Sequence, residues 1–181
     1  MIYFVRVNGD TAYNDSNHPK CYVSDEPPIF PQTFFNYYNL CLDQSFVRIG
    51  WPDTGDLTQP SKAGALAQCY DLMSVPTYIR EYLLEFKNIT VCSIILMPDK
   101  AVPGDLFIGE VQGPYHYFHN VPVAPYECAH RVSVSWDRNS QGMPIRYKAN
   151  SFGINIHGGF WRYAFARLDQ HHSASAILNR R

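Results

Sequence analysis

The apolar run VCSIILMP at residues 91–98 constrains the fold more than any other part of the sequence. A continuous apolar segment of this length is typical of a central strand that is buried on both faces of a sheet. Residues 2–7 and 131–136 alternate between two faces, as strands with two different sides do. Further strands are predicted at 45–50 and 106–113. We therefore expect a sheet with the apolar run near its centre.

Helical periodicity appears in three segments. Residues 33–42 predict a short helix, and residues 61–73 place apolar side chains at i, i+3, i+4 and i+7 on one face. Residues 76–86 repeat that spacing, and another short helix is predicted near the C-terminus. The predicted fold class is α+β: a PUA-like small mixed β-barrel or a strongly curved sheet, flanked by two or three helices.

The domain organisation follows from the length and from local composition. A chain of 181 residues has the size of one domain, and no internal repeat or linker divides it. We therefore predict a single domain over residues 1–181. The prolines within residues 17–31 indicate a surface insertion. A C-terminal segment at 150–181 follows the predicted sheet.

Net charge and cysteine content limit which partners and which cellular compartment the sequence is compatible with. Fifteen Lys and Arg against 16 Asp and Glu give a net charge of −1, which excludes a strongly basic coat but not a local basic patch. The five Cys form no CxxC pair and indicate reduced thiols. No signal peptide and no apolar run of membrane-spanning length is present. We expect a cytoplasmic protein without a membrane partner.

Motifs of the common enzyme classes are missing from the sequence. The seven His occur without an HExxH motif or a Cys/His set, so we expect no metal. No P-loop, GxGxxG or GxSxG motif occurs, so we expect no cofactor, no catalytic residue and no enzyme activity. Cys128 and His130 are close in sequence, but a nucleophile–base pair is defined in space. A Cys or His hydrolase stays open as the third alternative.

Aromatic residues make up 15% of the chain, and three of them stand where predicted strands end. Trp51 follows the strand at 45–50. Tyr115 and Tyr117 follow the strand at 106–113, and residues two apart in an extended segment project to the same side. If the two strand ends meet, the three rings can enclose a methylated group or an unstacked base. The alternative is that these rings only pack the core.

Basic residues fall on or beside the predicted strand ends and turns. About five phosphate contacts are enough for salt-dependent binding by a protein without a basic overall charge. Each of these cations, taken singly, also fits an ordinary solvated surface. The candidate phosphate-binding residues are Arg6, Arg48, Lys62, Arg131 and Arg138.

Four segments of the chain resemble a known superfamily in their order and spacing. The segments FVRVNGDTAY, VRIGWPDTGDL, GDLFIGEVQGPYHY and HRVSVSWD lie within residues 2–137. Together they resemble the PUA-like superfamily, with its EVE- and YTH-like members and the modified-base-reading domains of modification-dependent restriction systems. The resemblance implies a small barrel of mixed strands that holds a flipped, often methylated base in an aromatic cage.

The resemblance also implies roles for individual residues. Trp51 matches the cage Trp, and Tyr115 and Tyr117 lie in the segment that supplies a second cage wall. Asn8 follows the first strand, where a polar side chain faces the base edge. Asp53 is placed to accept a hydrogen bond from an exocyclic amine. One further aromatic residue, Trp136, matches a core position.

The leading hypothesis is a non-catalytic nucleic-acid-binding module. It recognises a modified base, above all a methylated one, or a base that has been flipped out of the stack, and it reaches that base by base flipping. We expect its nucleic acid to be DNA rather than RNA. The chain has no nuclease or ATPase domain of the kind often fused to such readers, so we expect a separate effector protein, such as a nuclease, to cut. The alternative is a protein- or small-molecule-binding module that uses the same aromatic groove.

Overall fold

The structure is a computed structural model. It describes residues 1–7, 37–49, 56–58, 77–99, 101–117, 130–154, 165–168 and 174–179. The strands are β1 (Ile2–Val5), β2 (Phe46–Ile49), β3 (Ile94–Pro98), β4 (Asp105–Tyr117), β5 (His130–Trp136), β6 (Arg146–Lys148) and β7 (Phe165–Arg167). The helices are α1 (Tyr37–Asp43), α2 (Thr77–Lys87), α3 (Ala174–Leu178) and a 3-10 helix at Ala149–Phe152. None of these described helices is long and apolar enough to cross a membrane.

Seven strands form one mixed sheet in the order β2-β5-β4-β3-β1-β7, and β6 pairs with the first part of β4. β3 pairs with β1 in parallel, and the other strand pairs are antiparallel. Residues 94–98 of the apolar run form β3, and residues 94–97 are all buried. Residues 91 and 92, at the start of the run, instead form an exposed turn, in which Val91 is 52% exposed. Because β3 lies in the interior of the strand order, the prediction of a central buried strand is confirmed. The α+β class is confirmed as well.

The sheet is curved, and it is open over the strands that the structure describes. β1 and β2 lie four places apart in the strand order, yet they approach each other and contribute to one core. A flat sheet would keep them far apart, since neighbouring strands are spaced by about 4.8 Å. The described edge strands β2 and β7 do not pair with each other. For this part of the chain the predicted barrel is therefore wrong, and the predicted curved sheet fits.

Two clusters of buried side chains cover opposite faces of the sheet. We call the face with the larger cluster the inner face and the opposite face the outer face. Tyr3 and Val5 belong to the inner cluster, whereas Ile2 and Phe4 belong to the outer one. This division confirms the alternation predicted for the first strand, because successive side chains of a strand point to opposite faces.

Helices α1 and α2 cover the inner cluster. Leu83 and Phe86 of α2 are fully buried and lie three residues apart, which fits the helical period predicted for residues 76–86. Cys41 of α1 is also fully buried there. The helix predicted at 61–73 lies outside the described residues.

Trp136 at the end of β5 is a core residue, as predicted. It is 3% exposed, and its Nε1 donates a hydrogen bond to the carbonyl oxygen of Cys41 at 2.9 Å. Gly109 pairs with Trp136 across β4 and β5. A Cβ at Gly109 would lie 2.7 Å from Cε3 of Trp136 and nearer still to the side chain of Val134. Position 109 therefore needs glycine to leave room for the indole.

Strand β4 continues to Tyr117, although the sequence predicted an irregular segment from Gly113 onward. Its register against β5 shifts between Val111 and Tyr115, which marks a β-bulge. The bulge contains Gly113 and Pro114, two residues that fit poorly in a regular ladder but are tolerated at bulges. The prediction of irregular chain was therefore wrong as far as Tyr117.

The C-terminal segment is described in part. β7 pairs with β1, and Ile177 of α3 is fully buried in the outer cluster. This part of the segment therefore packs onto the sheet. The proline-rich insertion at 17–31 lies outside the described residues.

Candidate functional site

The ends of β2 and β4 meet on either side of His130, the first residue of β5. His130 pairs with Ile49 on one side and with Tyr117 on the other. The strand ends that carry the predicted aromatic residues are therefore separated by a single strand. We call Tyr115, Tyr117 and His130 the aromatic end of the sheet.

Tyr115 lies at the inner face and is 6% exposed. Its hydroxyl group shares a hydrogen bond of 2.7 Å with Nδ1 of His130, which is fully buried. The two rings are stacked, with centroids 5.9 Å apart and planes inclined by 30°. The Phe86 ring stands almost perpendicular to the Tyr115 ring, with planes inclined by 89° and centroids 6.5 Å apart. Tyr115 is thus held in one orientation by polar and aromatic contacts together.

Burial raises the pKa of the Tyr115 phenol well above its usual value. A hydrogen bond with the backbone of Leu57 acts in the opposite direction, and the negative charge of Asp56 adds a smaller increase. Burial has the larger effect on the pKa, because a phenolate in the core would lose its hydration. Tyr115 is therefore a neutral hydrogen-bonding group in the folded protein.

Tyr117 has a different environment from Tyr115, although both side chains lie on the inner face. Its ring is half-buried at the margin of the inner cluster. Its centroid lies 5.1 Å from that of His130, with the ring planes inclined by 55°. Tyr117 is therefore the member of the aromatic end that combines a fixed ring with access to solvent.

The chain that follows β2 returns to the aromatic end at Leu57. Leu57 is buried in the inner cluster, and its backbone lies close enough to the Tyr115 hydroxyl group to act against the rise in the pKa of that phenol. Asp56 Oδ1 accepts hydrogen bonds from the backbone N–H of Thr58 at 2.9 Å and from its hydroxyl group at 2.8 Å, which shapes a local turn. Ile49, before residues 50–55 in the sequence, therefore lies beside His130, and Leu57, after them, lies beside Tyr115.

Three of the predicted base-binding residues lie outside the described residues. The remaining two, Tyr115 and Tyr117, are brought together by the structure, and both contact His130. The three outside are Asn8, Trp51 and Asp53. Their base-binding roles stay predictions.

The predicted phosphate-binding residues lie in several environments. Arg6 is exposed after β1, and Lys62 lies outside the described residues. Arg48 is 4% exposed on β2. The Arg131 guanidinium on β5 lies over the Phe46 ring, 4.5 Å from its centroid.

Arg138 has structural contacts that the sequence did not indicate. Its Nη1 donates to the carbonyl oxygen of Gly142 at 2.7 Å, and its Nη2 donates to that of Leu42 at 2.6 Å. These bonds link the turn after β5 to the C-terminal end of α1. The Arg138 guanidinium therefore has a structural role in the fold, in addition to its predicted role in phosphate binding.

Sequence reasoning missed the position of His130 at the centre of this site. A signal was present, because the alternation of β5 extends back to His130 and places it on the same face as Val132 and Val134. The tyrosine that accompanies it comes from a strand paired through a bulge. Local periodicity does not indicate such a pairing.

The fold and these contacts define a mixed α+β domain with a curved seven-stranded sheet and an aromatic cluster at one end. Residues 35–154, about two-thirds of the chain, match the family model described as a domain of unknown function (DUF8426), and the chain belongs to this family. No curated protein and no solved structure matches the chain.

Proposed function

We propose that this protein is a non-catalytic nucleic-acid-binding module that recognises a modified, above all a methylated, or flipped base at the aromatic end of the sheet. The observation that carries the proposal is that the two described points that flank residues 50–55 both lie at the aromatic end. Ile49, the last residue of β2, pairs with His130, and Leu57 lies beside Tyr115; residues 50–55, which include Trp51 and Asp53, connect these two points in the sequence. Trp51 comes two residues after Ile49 in the sequence.

The chemistry of the described rings supports base binding. Tyr117 presents a half-buried ring, and stacking of a base on such a ring contributes about 1–3 kcal/mol of binding free energy. His130 contacts the Tyr117 ring, and Tyr115 and His130 hold each other by their hydrogen bond. A rigid aromatic wall binds a planar guest with little loss of side-chain entropy.

The proposal includes the finer fold assignment. The order of the four motifs resembles the PUA-like superfamily with its EVE- and YTH-like members, and a curved mixed sheet is compatible with that assignment. Under the proposal the target is DNA rather than RNA. A separate effector protein, such as a nuclease, acts on the bound site.

The test is a binding titration with oligonucleotides that differ only in methylation of one base. The proposal predicts that the methylated oligonucleotide binds more tightly, and that Trp51→Ala and Tyr117→Leu each lower affinity by about tenfold or more. Tyr82→Leu is the matched control, because Tyr82 is also half-buried against the inner cluster but contacts Phe165 of β7. Negligible affinity for every oligonucleotide would refute the proposal.

A second candidate function is a protein- or small-molecule-binding module that uses the same aromatic groove. The net charge of −1 and the charged fraction of 17% favour it, since a polyanion gains little from such a surface. Salt dependence separates the two functions. Nucleic-acid binding weakens steeply with salt, whereas an apolar or peptide ligand of the same groove does not.

A further inference from the structure

Strand β6 has an open edge in the part of the sheet that the structure describes. It pairs with β4 on one side, and no other described strand pairs with it. The N–H of Ala149 donates to the carbonyl oxygen of Gly104, and in an antiparallel pair such bonded positions alternate with positions whose backbone groups point away. The N–H groups of Arg146 and Lys148 and the carbonyl group of Arg146 therefore point away from β4. None of the three has a hydrogen-bond partner among the described residues.

Both cationic side chains of this edge are accessible to solvent. The side chains of Arg146 and Lys148 are 55% and 65% exposed. By comparison, all four residues of the edge strand β2 are buried, and β7 begins with the fully buried Phe165. The open edge of β6 is therefore one that another segment of protein can reach without displacing a covering side chain.

The carboxylates that pair with these cations lie behind them. Arg146 Nε donates to Oδ2 of Asp99, and Lys148 Nζ donates to Oδ1 of Asp105 at 2.7 Å. The side chains of Asp99 and Asp105 are 0% and 8% exposed. Each bond uses one N–H group of its cation and holds the stem of that side chain, so the remaining N–H groups are available to a ligand. The surface beside the open edge is therefore positive.

Tyr147 projects to the opposite face of β6 from its two basic neighbours. Its ring is half-buried and packs against the Phe152 ring with centroids 5.7 Å apart, and its hydroxyl group donates to Oδ2 of Asp137. A strand added to the open edge would meet this ring on one face and positive N–H groups on the other. Over its three residues the edge thus presents a cation, an aromatic ring and a cation in turn.

We propose that the open edge of β6 binds an extended acidic segment of a partner protein, which joins the sheet as a further strand. The main chain of the segment bonds the three outward-pointing groups of β6, as in other sheets that are extended by a peptide. Side chains at paired positions have Cβ atoms about 4.5–5.5 Å apart, so carboxylates two residues apart in the segment reach Arg146 and Lys148. The residue between them is apolar, because it lies beside Tyr147. The proposal does not rest on base recognition.

Charge complementarity favours an acidic segment over a second copy of this chain. If the β6 strands of two copies paired in antiparallel fashion about Tyr147, Arg146 of each copy would lie opposite Lys148 of the other. Like charges at paired positions repel each other, and basic residues on edge strands are a common means of preventing self-pairing. The same two side chains attract a segment that carries carboxylates at the paired positions.

The test measures binding of the full chain to a labelled peptide of alternating Glu and Val, and to a matched peptide with Lys in place of Glu. The proposal predicts that only the acidic peptide binds, and that Arg146→Gln lowers its affinity by about two- to fivefold, as expected for an exposed ion pair. Arg167→Gln, at an exposed position of β7, is the control and should leave the affinity unchanged. Equal binding of the two peptides would overturn the proposal of an acidic segment.

Lys148 allows the backbone contact to be separated from the charge. Its φ of −72° is a value that proline adopts, and its N–H points away from β4, so Lys148→Pro removes an outward-pointing donor and keeps the pairing with β4. Lys148→Ala removes the same side chain and keeps that donor. We expect Lys148→Pro to bind the acidic peptide about threefold or more weakly than Lys148→Ala. Equal affinities of the two variants would overturn the addition of a strand.

Peptide variants keep the test decisive if a protein variant fails to fold. N-methylation of alternate amides removes the donors on one edge of the peptide strand at a time, so one methylated peptide should lose binding and the other should keep it. Equal affinities of the two would contradict the proposal. Concentration-dependent dimers in sedimentation that are lost in Lys148→Pro would identify a second copy as the occupant and overturn the partner segment. Failure of the acidic peptide to bind would overturn the proposal and leave the proposed function intact, since oligonucleotide binding is measured separately.

Discussion

The hydroxyl group of Tyr115 and Nδ1 of His130 lie 2.7 Å apart inside the inner cluster, and they join β4 to β5 by a side-chain hydrogen bond. The imidazole is fully buried, so a nitrogen that lost this partner would have no water to replace it. The pair is therefore both a structural link and the rigid support of the aromatic end.

Tyr115→Phe is expected to lower the free energy of unfolding by about 1–3 kcal/mol, because it leaves a buried imidazole nitrogen without its hydroxyl partner. Urea denaturation of the two proteins measures the difference. Tyr147→Phe is the control, since the Tyr147 hydroxyl group bonds Asp137 in a partly exposed position at 3.1 Å. An equal loss in both variants would contradict a special role for the buried pair.

The stability of the protein should fall as pH rises above about 10, the ordinary pKa of tyrosine. The unfolded chain releases the Tyr115 proton in that range, whereas burial raises the pKa of the folded phenol and keeps it protonated. The stabilisation is thus fully present below the unfolded pKa and is lost as pH approaches the folded pKa. The urea midpoint followed through this range should decline less in Tyr115→Phe. Parallel curves would show that other groups cause the decline.

Gly109→Ala is expected to destabilise the protein by about 1–3 kcal/mol, because the new methyl group would overlap Trp136 and Val134. Thermal unfolding measures the effect. Gly113→Ala is the matched control on the same strand, since a Cβ there would meet only Cβ of Ser133, at 3.9 Å. The expectation fails if both glycines tolerate alanine equally well.

Arg138→Met should lower the free energy of unfolding by about 1 kcal/mol, since it removes the donors to the carbonyl groups of Leu42 and Gly142 while keeping an unbranched side chain. Chemical denaturation provides the measurement. Arg167→Met, at an exposed position of β7, serves for comparison. An unchanged midpoint in Arg138→Met would mean that these two bonds do not stabilise the turn.

Local patterns predicted much of the fold because they depend only on the period of a helix or strand. Residues 94–98 of the apolar run became the buried β3, and the alternation of 131–136 became β5 with Ser133 and Ser135 exposed. The end of β4 was not predictable in this way. Gly113 and Pro114 usually end a strand, and only the partner strand β5 allows a bulge to contain them.

The sequence by itself determined which side chains share a face of each strand, since neighbouring residues of an extended chain must alternate. It therefore placed Tyr115 and Tyr117 on one side and His116 on the other. Only the tertiary structure decided that β2, β5 and β4 lie side by side, with Ile49, His130 and Tyr117 in register. That pairing joins segments distant along the chain, and its register depends on packing across the whole sheet rather than on any local signal.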